Sequence, residues 1–353
     1  MNSGRFASRA SIAVATAALG LVWGCGEASK EKADPAVSNP SKLVFIGFDA
    51  SPPLVEALRN GTLQGIVVQN PLRMGEAAVK TLVDALEGKP VIGSVSTGET
   101  LVTRDNMDDP EIRELLDPPK ARGADAAGST AKTKKWRVMV IPKGTTHEFW
   151  KTIHAGALKA AEELGNVEIV WQGPLKEDDR TEQIKLVRQA VAVGVDGIVL
   201  APLDEEALVE PAEQAIAKGI PVVIIDSSLK SSKPVAYVAT DNYHGGVLAA
   251  RRLGELLNGK GRVLLMRYMV GSASTDLREK GFLDTIGKEF PGLTFVSKDQ
   301  YAGATSDQAQ RTAQSLATRY RGKIDGIFCS NESSTFGMLR ALEGAGVLSP
   351  SKR

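Results

Sequence analysis

Lys42-Leu-Val-Phe-Ile-Gly-Phe-Asp49 decides the reading of this chain. It is an unbroken apolar run that ends on a glycine and a carboxylate, and Ser51-Pro-Pro53 then opens a helical pattern through Leu54, Val55 and Leu58. A run without alternation suits a strand of a parallel sheet, whose two faces are both covered. An acid at the carboxyl end of such a strand stands at the crevice where open α/β sheets bind ligands. The plainer alternative is that Asp49 caps the helix that follows it.

The rest of the chain repeats this β-then-α alternation. After 42–48 come a helix at 52–60, a strand at 64–68, a helix at 72–87 and a strand near 97–103. A longer series follows, with strands near 136–141, 167–171, 197–200, 221–225 and 236–239, and helices near 147–164, 179–193, 205–218 and 243–258. Further strands fall near 262–267, 294–298 and 325–329, and further helices near 274–288, 305–319 and 333–345. Leu164-Gly165, Val193-Gly194 and Lys218-Gly219 are helix stops. Such alternation predicts parallel sheets with right-handed crossovers. The helix at 333–345 has no strand after it, and 42–48 is the strand that would complete its sheet. The expected order is therefore circularly permuted, with 42–48 parallel to 325–329 and 120–135 a linker without hydrophobic period.

With 353 residues, 42% of them hydrophobic, the chain can form two cored domains. A formal net charge of +1 gives no argument for a nucleic-acid partner. Arg5 and Arg9 precede an apolar stretch, Ser11 to Trp23, of signal-peptide length. It ends at Cys25 and resembles a bacterial lipoprotein signal, with an ordinary secretory signal and a free Cys25 as the alternative. Either way the protein is expected to leave the cytoplasm, to the periplasm, with 26–41 as a polar tether. Cys329, the other cysteine, lies in an apolar strand and reads as a small core residue.

Several stretches together carry a family. They are Phe149-Trp150 opening a helix, Pro221-Val-Val-Ile-Ile-Asp226, Thr240-Asp-Asn242, Leu277-Arg-Glu-Lys-Gly-Phe282, Asn331-Glu332, Gly47-Phe-Asp49 and Gln69-Asn-Pro71. In permuted order, 42–119 and 136–350 resemble type I periplasmic sugar-binding proteins of the ribose-binding kind. The resemblance implies two doubly wound parallel-sheet lobes joined by a hinge, closing on a monosaccharide and then docking on the permease of an ABC importer. It puts 71–97 and 136–240 in the first lobe, and 42–70 and 241–353, with 98–119, in the second. The chain would cross between lobes near 70, 97 and 240.

The site also transfers by resemblance. Phe149 and Trp150 match the aromatics flanking the sugar ring, and Asp226 matches the acid of the first lobe. Arg278, Asn331, Asp49 and Gln69 match polar groups of the second lobe and hinge. The chemistry fits, since carboxylates accept from hydroxyls, guanidinium donates in a fork and amides do both. His147 and Ser227 stand where ribose binders carry asparagine and arginine, and an aromatic near Ala304 is absent. The resemblance therefore carries over monosaccharide binding and not ribose specificity.

Outside the resemblance, Phe149 and Trp150 read as helix-face core, the acids as caps, and Arg278 as a surface ion pair with Glu279. An exported enzyme is the rival from another class. His147-Glu-Phe-Trp-Lys151 begins like a zinc-protease helix, but Lys151 replaces the second histidine, so no metal is expected. The chain shows no dinucleotide or phosphate loop, and no cofactor is expected. A sensory binding protein presenting sugar to a membrane receptor would use the same closed form. The expected partners are a monosaccharide and the ABC permease, with the membrane reached only through the lipid anchor and the protein a monomer.

Overall fold

The computed structural model describes residues 43–118 and 135–348. The signal, Cys25, the tether and all but Lys135 of the 120–135 linker lie outside the described residues.

The first described part contains β1 (Val44–Phe48), α1 (Pro52–Arg59), β2 (Gly65–Gln69), α2 (Pro71–Leu86), β3 (Ser94–Ser96), β4 (Glu99–Val102) and α3 (Pro110–Leu116). Next come β5 (Trp136–Ile141), α4 (Glu148–Leu164), β6 (Val167–Trp171), α5 (Arg180–Ala192), β7 (Gly197–Leu200), α6 (Val209–Ala217), β8 (Val222–Ile225) and β9 (Ala236–Ala239). The rest is α7 (Asn242–Leu256), β10 (Gly261–Arg267), α8 (Ala273–Glu289), β11 (Leu293–Tyr301), α9 (Ser306–Arg319), β12 (Gly326–Cys329) and α10 (Glu332–Gly344). Local chemistry sets many of these ends. Asn70 accepts from Arg73 N and Pro71 follows it, so α2 starts there. Gly165, at φ 73°, stops α4 in a left-handed cap.

These strands form two six-stranded sheets, ordered β11-β10-β12-β1-β2-β4 and β3-β9-β8-β7-β5-β6. β1 lies between β12 and β2, parallel to both, with Val44 opposite Gly326 and Ile46 opposite Gly65. That is the pairing expected for the orphan helix α10. All five residues of β1 are buried, which is why its run lacks alternation. Apolar clusters cover both faces of each sheet. Phe45, Leu54, Leu58 and Met338 lie on one side of the first sheet, and Phe48, Leu253, Phe282 and Phe328 on the other. Val140, Ile153 and Leu82 flank the second sheet opposite Ile141, Leu186 and Leu200. Each buried side chain of this size stabilises the lobe by roughly 1.5–3 kcal/mol.

Four expectations change. The strand near 97–103 is β4, and an additional short strand, β3, precedes it in the other sheet. The chain turns between them at Gly98, φ 83°, and crosses from one lobe to the other. β4 runs antiparallel to β2, so the first sheet is not wholly parallel. The acidic stretch 104–119 contains a helix, α3, started by Asp109-Pro110. Finally, α6 starts at Val209 rather than near 205, because Asp204 Oδ1 accepts from Glu206 N and Ala207 N and holds that segment as a turn.

Candidate functional site

Two strand ends, one from each sheet, set the geometry. β1 runs into Asp49 and β8 into Asp226, and both acids have left-handed backbones, φ 67° and 60°. Non-glycine residues pay roughly 1–3 kcal/mol for such conformations, and aspartate tolerates them better than most. The strain turns both carboxylates into the space between the lobes. Neither acid caps the helix expected from sequence, since α1 has Ser51 at its N-cap and Asp226 is followed by a loop.

Asp49 Oδ1 accepts from Gln69 Nε2 at 2.6 Å, and Oδ2 accepts from Glu332 N at 3.0 Å. Burial raises the Asp49 pKa above the ordinary carboxylate range, against the opposing charge of Arg278 and the Gln69 bond. Asp226 Oδ2 lies 2.7 Å from Lys143 Nζ. Arg278 lies between the two acids, 3.8 Å from Asp49 Oδ2 and 3.9 Å from Asp226 Oδ1. It is only 2% exposed. Its Nε donates to Asn242 Oδ1 and its Nη1 to Ser330 O, and its guanidinium lies over the Phe48 ring. Glu279 takes Arg267 instead, so the surface pair does not form.

The start of α4 supplies the rings. Phe149 and Trp150 pack edge to face, with centroids 4.9 Å apart, and both line the cavity. Trp150 Nε1 donates to Glu177 Oε1 at 2.7 Å, and Tyr268, from the other lobe, donates to Glu177 Oε2 at 2.5 Å. His147 Nδ1 lies 2.5 Å from Glu177 Oε1. Burial disfavours the His147 cation, but the Glu177 charge and hydrogen bond outweigh it and raise the pKa to about 9. Burial likewise disfavours the Glu177 anion, and His147 reverses this, holding it at about 2. Glu332 opens α10, and its carboxylate accepts from Glu148 N and Phe149 N at 3.4 and 3.3 Å. It thus caps a helix of the opposite lobe. Burial, helped by Asp49 and opposed by His147, raises it to about 7.

These values fix a pH response. The stabilisation from His147 is complete below its ordinary 6.5 and is lost as pH rises through about 9. That from Glu177 is complete above 4.5 and is lost as pH falls through about 2. Raised Glu332 destabilises the folded protein progressively from 4.5 to about 7 and adds little change beyond that. Melting measured from pH 7 to 9 should therefore drop by roughly 5 °C, and the drop should vanish in Glu177→Gln. A wild-type profile flat over that range would show that the pair contributes nothing.

Eight of the nine residues singled out in the sequence line one cavity of about 30 Å³, together with Lys143, Glu177, Tyr268 and Glu332. That is room for about one or two waters and less than a sugar ring needs, so a ligand of that size requires the lobes to part. Ser227 is the exception. It is buried behind the lining, bonded to Lys143 and Ser274. Asn331 lines the cavity, but its oxygen is used at the N-cap of α10 by Ser334 N and Oγ, and its amide donates to Ser333. Gln69 Oε1 is buried with no partner among the described residues, which leaves one acceptor for a ligand donor. The arrangement offers acceptors at Asp49, Gln69 and Asp226, donors at Arg278 and His147, and two ring faces.

Lys143, Glu177 and Tyr268 were not found by sequence reasoning. Lys143 stands just past the end of β5, so the rule that picked out Asp49 and Asp226 applies to it as well. Glu177 sits in the charged run Lys176-Glu-Asp-Asp179, which reads as a solvated loop, and nothing in the sequence marks Tyr268.

Two α/β lobes around a polar cleft with an aromatic pair define a binding-protein architecture, and comparison gives the family. The profile of the periplasmic binding protein domain matches residues 10–90 and 138–352, and the chain belongs to that family. Among curated proteins it is 26% identical over 181 residues to a xylitol-binding protein of Mycolicibacterium smegmatis, covering 51% of each chain. Among solved structures it is similar to the periplasmic component of an ABC-type sugar transport system from Hahella chejuensis. That match has 33% identity and a TM-score of 0.57, covering 60% of this chain and 76% of the other. An ABC transporter solute-binding protein from Agrobacterium vitis with bound D-fucose gives 33% identity and a TM-score of 0.57, over 60% of this chain and 73% of the other. The chain spans about half to two thirds of the length of the first curated relatives it matches.

Proposed function

We propose that this protein is the extracytoplasmic solute-binding subunit of an ABC-type sugar importer, holding one monosaccharide or small polyol between its lobes. The observation that carries this reading is the cavity itself. It faces carboxylates from both lobes, one buried guanidinium and an aromatic pair, and the proteins similar to it include a xylitol-binding protein and an ABC transporter solute-binding protein with bound D-fucose. His147, Phe149, Trp150, Asp226, Arg278, Asp49 and Gln69 form the ligand shell, Asn331 offers an amide proton, and Ser227 acts from behind. No covalent step is required. Binding to one lobe, followed by closure, supplies the other lobe's contacts, and the closed form is what the permease reads. A thermal-shift panel of pentoses, hexoses and pentitols tests this. A ligand at 100 times its dissociation constant adds roughly 2.7 kcal/mol. If no member of the panel raises the melting temperature at millimolar concentration, the sugar-binding reading falls.

The same reading includes a circularly permuted order, a tether at 26–41 and a lipid anchor at Cys25, so that a monomer works at the membrane surface. Support for the permutation is that β1 sits beside β12, and that Leu43 and Leu348 pack on one apolar cluster. A chain opened within 119–134, with Arg353 joined to Leu43 and residues 1–42 removed, is expected to fold and keep wild-type affinity. It should also leave the membrane fraction. Failure to fold would count against the permutation, and retained membrane partitioning against the anchor.

A further inference from the structure

Lys143 is only 3% exposed and forms part of the cavity lining. Its Nζ lies 2.7 Å from Asp226 Oδ2, 2.6 Å from Ser227 Oγ, 3.1 Å from Ser274 Oγ and 3.3 Å from Ser272 Oγ. An ammonium has three protons, so these neighbours use its whole donor capacity and leave none for a ligand. Its part in binding must therefore be indirect.

The bonds form a ring across the lobes. Lys143 donates to Ser227 Oγ, Ser227 donates to Ser274 Oγ at 2.8 Å, and Ser274 donates to Asp226 Oδ2 at 3.4 Å. Lys143 closes the ring by pairing with that same oxygen. Lys143, Asp226 and Ser227 belong to the lobe of the second sheet, while Ser272 and Ser274 begin α8 in the other. The ring therefore exists only when the lobes are together.

It also makes the two oxygens of Asp226 unequal. Oδ2 is held by Lys143 and Ser274. Among the described residues, Oδ1 has only Arg278 Nη2 at 3.9 Å, beyond hydrogen-bond length. The backbone of Asp226 is strained at φ 60°, so its orientation depends on what grips the side chain. We infer that Lys143 is a positioning residue for ligand recognition. It grips one oxygen of Asp226, leaves the other as the acceptor for a ligand hydroxyl, and completes that arrangement only on closure, through Ser272 and Ser274. This rests on the sugar-binding reading above.

The test is calorimetric titration of wild type, Lys143→Met, Asp226→Asn and the double variant with D-ribose, D-fucose and xylitol. Lys143→Met should weaken the ligand that wild type binds by about 100-fold. Met takes the close cation from buried Asp226, leaving only Arg278 at 3.9 Å among the described cations, and can cost folding, so the double variant, which removes both charges, is the decisive one. It should bind no more weakly than Asp226→Asn alone, because the lysine acts through the acid. If Lys143→Met stays within about threefold of wild type, or the double variant multiplies the two single losses, the inference is overturned while the sugar-binding reading stands. If wild type binds none of the three, the titration is run with the ligand that the thermal-shift panel selects, and a panel without any ligand fails that reading and the inference with it.

Discussion

Asp226→Ala and Asp49→Ala should each weaken monosaccharide binding by about 30- to 1000-fold. Each acid comes from a different lobe, and they flank Arg278 at 3.9 and 3.8 Å. Truncating either removes a charged acceptor and leaves ligand hydroxyls desolvated without a partner, which is the costly half of a hydrogen bond. The variants should differ in stability. Asp49→Ala frees Gln69 and Glu332 N, which are neutral donors. Asp226→Ala strands the buried Lys143 cation, so its melting temperature should fall further, and Asp226→Asn should recover part of that. Titration calorimetry paired with melting curves separates the effects. Wild-type affinity in both alanine variants would mean that the acids do not face the ligand.

The largest stability effect should come from Gly246→Val, on the helix α7. A Cβ there would lie 1.9 Å from Arg278 O and 2.8 Å from Phe282 N, both backbone atoms of α8. Gly281 answers from the other side, where a Cβ would meet Tyr243 O at 2.1 Å. The helices touch backbone to backbone, and no rotamer can relieve a clash of that kind. A cost above about 3 kcal/mol is expected, beyond ordinary overpacking. Binding should suffer too, because α8 carries Arg278. Soluble yield and melting temperature report this, and a Gly246→Val protein that melts like wild type would refute the packing described. The other lobe holds its aromatic-bearing helix α4 in the same way, with Gly156 against Leu72 O.

Much of this architecture was legible because buried parallel strands leave apolar runs and helices end on glycine. The missing partner of α10 was enough to place β1 beside β12, across nearly the whole chain. On the near side of the crossing at Gly98, β3 was not legible, because three residues are too few to show a strand period. α3 was hidden by its acidity, although Asp109-Pro110 signals a helix start. In the site, Asp49, Asp226 and Arg278 could be found because strand ends and short motifs mark them. Glu177 and Tyr268 are buried polar groups that bond each other across the lobes. That is a tertiary fact, and no local pattern encodes it. Ser227 and Asn331 show the converse, polar groups whose hydrogen bonds are largely used within the protein.

The central claim is that a small polyhydroxylated ligand is enclosed by acids from both lobes and by the aromatic pair of α4. A crystal structure with the ligand picked out by the thermal-shift panel tests it most directly. The account predicts one ligand in the cleft cavity, hydroxyls on Asp49 and on the free oxygen of Asp226, Arg278 between them, and an apolar face against Phe149 or Trp150. A ligand bound outside this cleft, or inside it without contact to either aspartate, would contradict the account.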